Sequence, residues 1–391
     1  MIEATTLIDD VKGEFEGGNS LSVSWDTLIR RAVENVLDNC RPETLKRTVP
    51  IYGGLAHEVY AYYCPNNVLV PSDLYTNDGT RHWSYVAPKM FHKQQKNNTY
   101  TIEYINGARF IMVRHSLNLG SLTIDAMDAL GTKTGGSPAL NTHNYIMGSG
   151  AVEATFTDAG VEFGDDITAI DISSYLANGV VILPMYLTDA DKLSSIEIRL
   201  KTDDANYYKL VSTSDSIGDY FVNGWNMVKF QMASKTTVLS PDSTNITEWS
   251  IIGTTTTGNT LKIIFDKFTI QLFNPYYLEF YSNAPYISGS TGTYWQTTIS
   301  YSNDDKINFD RDVAGILHYE LCMLVVQSST FDNVDSQASR RFEGQLKRKY
   351  QAYWETHPSS EAPMSYSKSP EIDISQDIDY GRIQDDTESI T

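Results

Sequence analysis

The chain has 391 residues, 41% hydrophobic and 20% charged, enough core material for two or three domains of about 150 residues each. No run approaches the ~20 consecutive apolar positions of a membrane span, and the opening Met1-Ile2-Glu3-Ala4 has neither the basic nor the apolar segment of a secretory leader, so no membrane partner is expected. Against 30 basic residues stand 49 acidic ones, for a formal charge of −19, which argues against a broad basic face for nucleic acid, bare or sequence-specific.

Residues 1–23 are polar, carry Gly13, Gly17 and Gly18, and read as an arm or loop. The clearest helix follows. Trp25, Leu28, Ile29, Ala32, Val33, Val36, Leu37 and Cys40 make one apolar stripe at helical spacing, with Ser24 as cap, Asp26 in the first turn and Pro42 as the stop. From Val49 to Arg114 the pattern changes to short runs rich in Tyr, Val and Ile. Two of them, Tyr100–Tyr104 and Arg109–Val113, flank Asn106-Gly107 and predict a hairpin. Glycines 131, 135, 136, 148 and 150 with Pro138 make 131–150 read as a linker.

Between 151 and 275 the sequence is strand-like. Ile196–Leu200 and Met227–Met232 alternate with period two, and Ile251-Ile252 and Leu261–Phe265 flank a Thr/Gly/Asn turn; this predicts an antiparallel sandwich. Helical stripes return after Asp310, as Val313, Ile316, Leu317, Leu321 and Leu324, then as Ala338, Phe342, Leu346, Tyr350, Tyr353 and Trp354. The last 33 residues hold eight acids against Lys368 and Arg382. Amphipathic helices at both ends cannot bury their stripes alone. The expectation is therefore an α+β fold: a small discontinuous helical bundle (the N-terminal helix plus two C-terminal helices), an inserted antiparallel β-sandwich or jelly roll, and an extended C-terminal tail. The expected units are 1–150 (arm, helix and small β region), 151–280 (sandwich), 281–358 (completing helices) and 359–391 (acidic tail).

Catalytic constellations are missing from the sequence. His57-Glu58 opens like a zinc-protease helix, but Ala61 stands where the second histidine belongs. Gly53-Gly54 and Gly148-Ser149-Gly150 match no phosphate-binding or nucleophile motif. The doublets Asp165-Asp166, Asp203-Asp204 and Asp304-Asp305 could serve calcium or glycosidase chemistry, yet adjacent acids on a strand face opposite ways. Solvated turn acids are the simpler reading, and metal binding stays open. Three scattered cysteines predict a reducing compartment rather than a disulfide framework. No cofactor and no catalysis are expected. The basic run Lys347, Arg348, Lys349 is either a solvated helix face or a partner-facing patch. The 25 tyrosines fit interfaces and sugar platforms alike; Tyr207-Tyr208, Trp225 and Trp249 are platform candidates, with the tryptophans better placed in the core.

Ile196–Leu200, Tyr207-Tyr208, Gly224–Phe230, Asp242–Ile251 and the closing Ile264-Phe265-Asp266-Lys267-Phe268-Thr269-Ile270 resemble the strands of a carbohydrate-binding-module-like jelly roll, in which the closing Asp is usually structural. The surrounding frame, Trp25–Cys40 with Asp310–Trp354 and its run Lys347–Trp354, resembles tailed-bacteriophage head–tail connector proteins of the neck or adaptor type. That resemblance implies a virion protein assembled in the host cytoplasm as a homo-oligomeric ring, of about twelve copies, between portal and tail proteins. Ile372, Ile374, Ile378 and Tyr380 alternate as a strand that could dock on a neighbouring subunit. The alternative is a glycan-binding adhesion module whose working part is the jelly roll, facing host-surface glycans. A polysaccharide-active enzyme comes third.

Overall fold

The computed structural model describes residues 1–15, 23–51, 61–76, 78–93, 98–113, 121–272, 276–289, 296, 299–300, 305–328 and 336–357. Ile372, Ile374, Ile378 and Tyr380 of the tail, and His57-Glu58, lie outside these residues. Among the described residues there are 22 strands and five α-helices: α1 (Ala4–Gly13), α2 (Trp25–Asn39), α3 (Pro88–Lys93), α4 (Arg311–Gln327) and α5 (Ser336–Thr356). The α+β expectation, a helical bundle carrying one inserted sandwich, is thereby corrected. The molecule is mainly β: two β units form its body, and the helices form a flank.

The first β unit is a seven-stranded sheet in the order Lys46–Ile51, Tyr276–Ser282, Val68–Thr76, His82–Tyr85, Thr99–Ile105, Ala108–Val113, Ala61–Tyr63. Its second strand comes from beyond the sandwich and pairs Val49 with Leu278 and Leu74 with Leu278. A pairing across so long a separation leaves no local signature, which is why these short strands read as a minor appendage rather than a sheet. The Asn106-Gly107 hairpin is present, with φ of +48° and +84° at the two turn residues as a primed turn requires.

The second unit is the antiparallel sandwich. One sheet has the order Ser121–Asp125, Phe268–Leu272, Gly179–Leu187, Thr260–Phe265, Ala151–Thr157, Ala139–Asn141, with Gly224–Gln231 also paired to Gly179–Leu187. The other runs Glu162–Ile170, Ile246–Thr255, Leu193–Lys201, Tyr207–Ser212, Thr236–Val238. Between them lies a core in which Phe163 packs on Trp249 and Phe265 at ring separations of 5.3 and 5.8 Å. The segment expected to be a linker contributes Ala139–Asn141 to this sandwich. Within it Thr134 exchanges backbone hydrogen bonds with Gly164. Gly135 sits at φ +78°, where a Cβ would fall 1.8 Å from the Glu162 carbonyl oxygen, so only glycine fits there.

Four of the helices, α1, α2, α4 and α5, share one hydrophobic cluster. α1, read from sequence as loop, buries Ala4, Leu7, Ile8 and Val11; α2 buries its whole stripe; α4 and α5 add Ile316, Leu317, Leu321, Phe342 and Tyr350. Glu320, buried on α4, accepts from the Tyr350 hydroxyl at 2.8 Å. No helix among the described residues is long and apolar enough to cross a membrane.

Candidate ligand-binding face of the sandwich

The two outer faces of the sandwich have different fates. On the seven-stranded side, Val180, Ile182 and Trp225 pack against Ala61, Tyr63, Ala108 and Phe110 of the first β unit. That face is spent on holding the two units together, and it takes Trp225, 8% exposed, out of contention as a platform. Trp249 is 1% exposed inside the core. None of the hydrophobic clusters among the described residues extends over the outer face of the five-stranded sheet.

Strand alternation decides what that face presents. Ile196, Ile198 and Leu200 point into the core, as do Tyr208 and Leu210, Phe163, and Trp249 with Ile251. Their neighbours therefore line the other side. The register puts Glu162, Ile252, Glu197 and Val211 in one cross-strand row and Glu248, Lys201 and Tyr207 in another, with Arg199 opposite Lys209 between them. Rows of this kind repeat about 4.8 Å from strand to strand and about 6.8 Å along each strand. The Tyr207-Tyr208 pair is divided by the sheet: Tyr208 goes inside and gives its hydroxyl to the Pro241 carbonyl, while Tyr207 stays outside.

These outward groups form one ion-paired lattice. Arg199 Nε donates to Glu197 at 2.7 Å and its Nη1 to Glu162 at 3.2 Å; Lys201 Nζ lies 2.6 Å from Glu162; Lys209 Nζ lies 2.8 Å from Glu197. The Arg199 guanidinium sits 4.9 Å from the Tyr207 ring centroid and fixes that ring. Burial alone would raise the Glu162 carboxyl and lower the Lys201 ammonium. The hydrogen bond between them, together with the other opposite charges around the pair, outweighs it in both, so Glu162 is lowered and Lys201 is raised. At the rim, Val238 pairs with Tyr207 and is followed by Leu239, 71% exposed at φ +53°. A left-handed leucine in water is a strained conformation.

Glu197, Arg199 and Lys201 are not singled out by the sequence reading, which rests on the apolar half of Ile196–Leu200; the polar half of the same alternation is the signal that marks them. Lys347, Arg348 and Lys349 lie on α5, where Lys347 pairs with Glu343 at 2.8 Å and Lys349 passes over Gly315 of α4. They are not part of the sandwich face. The Asp doublets split as strand and turn geometry dictates. Asp165 pairs with Lys133 at 3.0 Å, Asp203 caps its own turn through the Ala205 and Asn206 amides, and Asp305 accepts from Gly289 and Ser300. Among the described residues no group of three or more His, Cys, Asp or Glu is placed to hold a metal ion. Asp266 is fully buried and accepts backbone N–H bonds from Ile146, Met147 and Lys267, a structural task.

No protein-family model matches the sequence, and no curated protein matches it. Among solved structures, the chain is similar to the family 30 carbohydrate-binding module of a cellulosomal cellulase of Clostridium thermocellum, at 13% identity and TM-score 0.30, over 40% of this chain and 99% of that one. It is similar also to a family 11 carbohydrate-binding module from Clostridium thermocellum, in complex with a β-1,3-1,4-mixed-linked tetrasaccharide, at 12% identity and TM-score 0.29, over 39% of this chain and 95% of that one. An agarase matches at 9% identity and TM-score 0.27, over 39% of this chain but 24% of its own. Neither these comparisons nor the described residues support the connector resemblance.

Proposed function

We propose that the chain is a non-catalytic saccharide-binding protein whose working surface is the outer face of the five-stranded sheet. One observation carries this: the opposite face of the sandwich is consumed by the first β unit, while this one holds Tyr207 inside a fixed lattice of carboxylates and cations. A sugar hydroxyl both donates and accepts, and here acceptors (Glu162, Glu197, Glu248) alternate with donors (Arg199, Lys201, Lys209) at strand spacing. The ring supplies apolar area for the C–H face of a pyranose. Because the side chains are already held by one another, little side-chain entropy is lost on binding.

Affinity electrophoresis of the full chain through gels containing neutral polysaccharides tests this reading. Retardation by at least one polysaccharide, weakened in Tyr207→Ala and in Arg199→Ala, is expected. Migration unchanged in every gel, or retardation undiminished in both variants, would refute it.

A further inference from the structure

The first β unit carries a second, independent arrangement of rings. On its outer face the register aligns Pro50, Tyr277, Tyr75 and His82 across four neighbouring strands. Tyr75 lies 5.8 Å from Tyr277 with 18° between the ring planes, and 5.5 Å from His82 with 30° between them. Near-parallel rings at such separations are offset rather than superposed, so each leaves part of its face uncovered by the next. The row spans three strand spacings, about 14 Å. Pro50 ends it on the edge strand, where a residue without an N–H is tolerated. Tyr75 and Tyr277 are half-buried, and the His82 side chain is 58% exposed.

Beside the rings runs a polar row. Asp73 Oδ2 is 2.8 Å from His82 Nδ1, and Asp73 Oδ1 accepts from the Leu74 amide. Glu279 accepts from Ser72 Oγ at 3.1 Å and pairs with Lys46 at 3.1 Å. Thr48 stands opposite Glu279. Each carboxylate is already engaged, Asp73 by the His82 ring and Glu279 by Lys46 and Ser72, so the row offers hydrogen-bonding groups of both kinds. A cationic ligand would have to displace Lys46 or His82, and an anionic one would meet Asp73 and Glu279. A chain of neutral pyranose rings meets neither cost. Its C–H faces match the ring row and its hydroxyls match the polar row.

We infer that Pro50, Tyr277, Tyr75 and His82, with Asp73 and Glu279, form a second binding face, for neutral saccharides, on the first β unit. It stands apart from the sandwich face and does not depend on it. The test is calorimetric titration of the full chain with neutral gluco-, manno- and xylo-oligosaccharides. Hydroxyl-radical footprinting of the wild-type chain at saturating ligand accompanies it, with a sulfated and a chitosan oligosaccharide as charged comparators. Protection of Tyr75, Tyr277 and His82 is expected. So is binding weakened about tenfold at one site in Tyr75→Ala and in the milder surface variant His82→Ala, with a Tyr207→Ala chain retaining that site. Loss in Tyr207→Ala alone, with Tyr75 unprotected, would overturn this inference and leave the sandwich reading standing; loss in the Tyr75 and His82 variants alone would do the reverse. Stronger binding of either charged oligosaccharide at these residues, or no protection by any neutral one, would also overturn it.

Discussion

Asp215 gives the sharpest test of how the two β units are held together. It sits on the loop between Tyr207–Ser212 and Gly224–Gln231, 8% exposed, with Oδ1 accepting from the amides of Ile217 and Asp219 at 3.0 and 2.9 Å. Four residues on, Asp219 is gripped by both Arg47 Nη atoms at 2.7 and 3.0 Å and by Asn67, which ties the loop to the first β unit. Burial, reinforced by the charge of Asp219 and opposed by the two amides and Arg47, raises the Asp215 carboxyl from 3.8 to about 7. Lys229 faces it too, its own ammonium lowered by burial. Between pH ~4 and ~7 the folded chain thus holds a proton that the unfolded chain releases, so stability falls as pH rises through that window. The full shift corresponds to a ceiling of about 4 kcal/mol. In Asp215→Asn, Oδ1 keeps both amide bonds and no charge is buried. Urea unfolding from pH 4 to 8.5 should show the wild type losing roughly 2–4 kcal/mol. The variant should lose much less and exceed the wild type above pH 7. Equal slopes, or a variant less stable at pH 8, would refute the argument.

Lys133 lies between Asp125 and Asp165 at 2.9 and 3.0 Å, all three side chains at most 10% exposed; Lys133→Met should cost about 3–5 kcal/mol by leaving two buried carboxylates unpaired, measured by urea denaturation, and adding Asp165→Asn should recover part of the loss. Trp249→Ala removes the centre of the sandwich core, where Phe163 and Phe268 pack on it, and should cost about 3–5 kcal/mol in the same assay. Leu239→Gly relieves a left-handed leucine worth about 1–2 kcal/mol, offset in part by glycine's greater unfolded-state freedom. Its thermal midpoint should hold or rise while saccharide affinity falls; a lower midpoint would show that Leu239 is structural.

Much of this fold was legible wherever its determinants are local. The stripe of α2, the Asn106-Gly107 hairpin and the alternation of Ile196–Leu200 all state their periods within a few residues. The balance between helix and sheet was not legible. It turns on Tyr276–Ser282 closing a sheet begun at Lys46–Ile51, and nothing in either segment names the other. The glycines at 135 and 136 read as linker punctuation, yet they mark close backbone approaches to Glu162 and Thr155. The sandwich face lay in plain sequence, as Glu197-x-Arg199-x-Lys201, but a row of charges on one strand gains meaning only when Glu248 arrives from the next strand and Glu162 from the one beyond it. The ring row is likewise assembled from four strands, each supplying one residue.

The central claim is that the outer face of the five-stranded sheet binds saccharide. A glycan array probed with the full chain and with Tyr207→Ala, both checked for unchanged thermal midpoints, tests it most directly. The account predicts a set of neutral glycans bound by the wild type, with signal for that set sharply reduced in the variant. An array on which the folded wild type finds no glycan, or on which the two chains give the same pattern and strength, would contradict it.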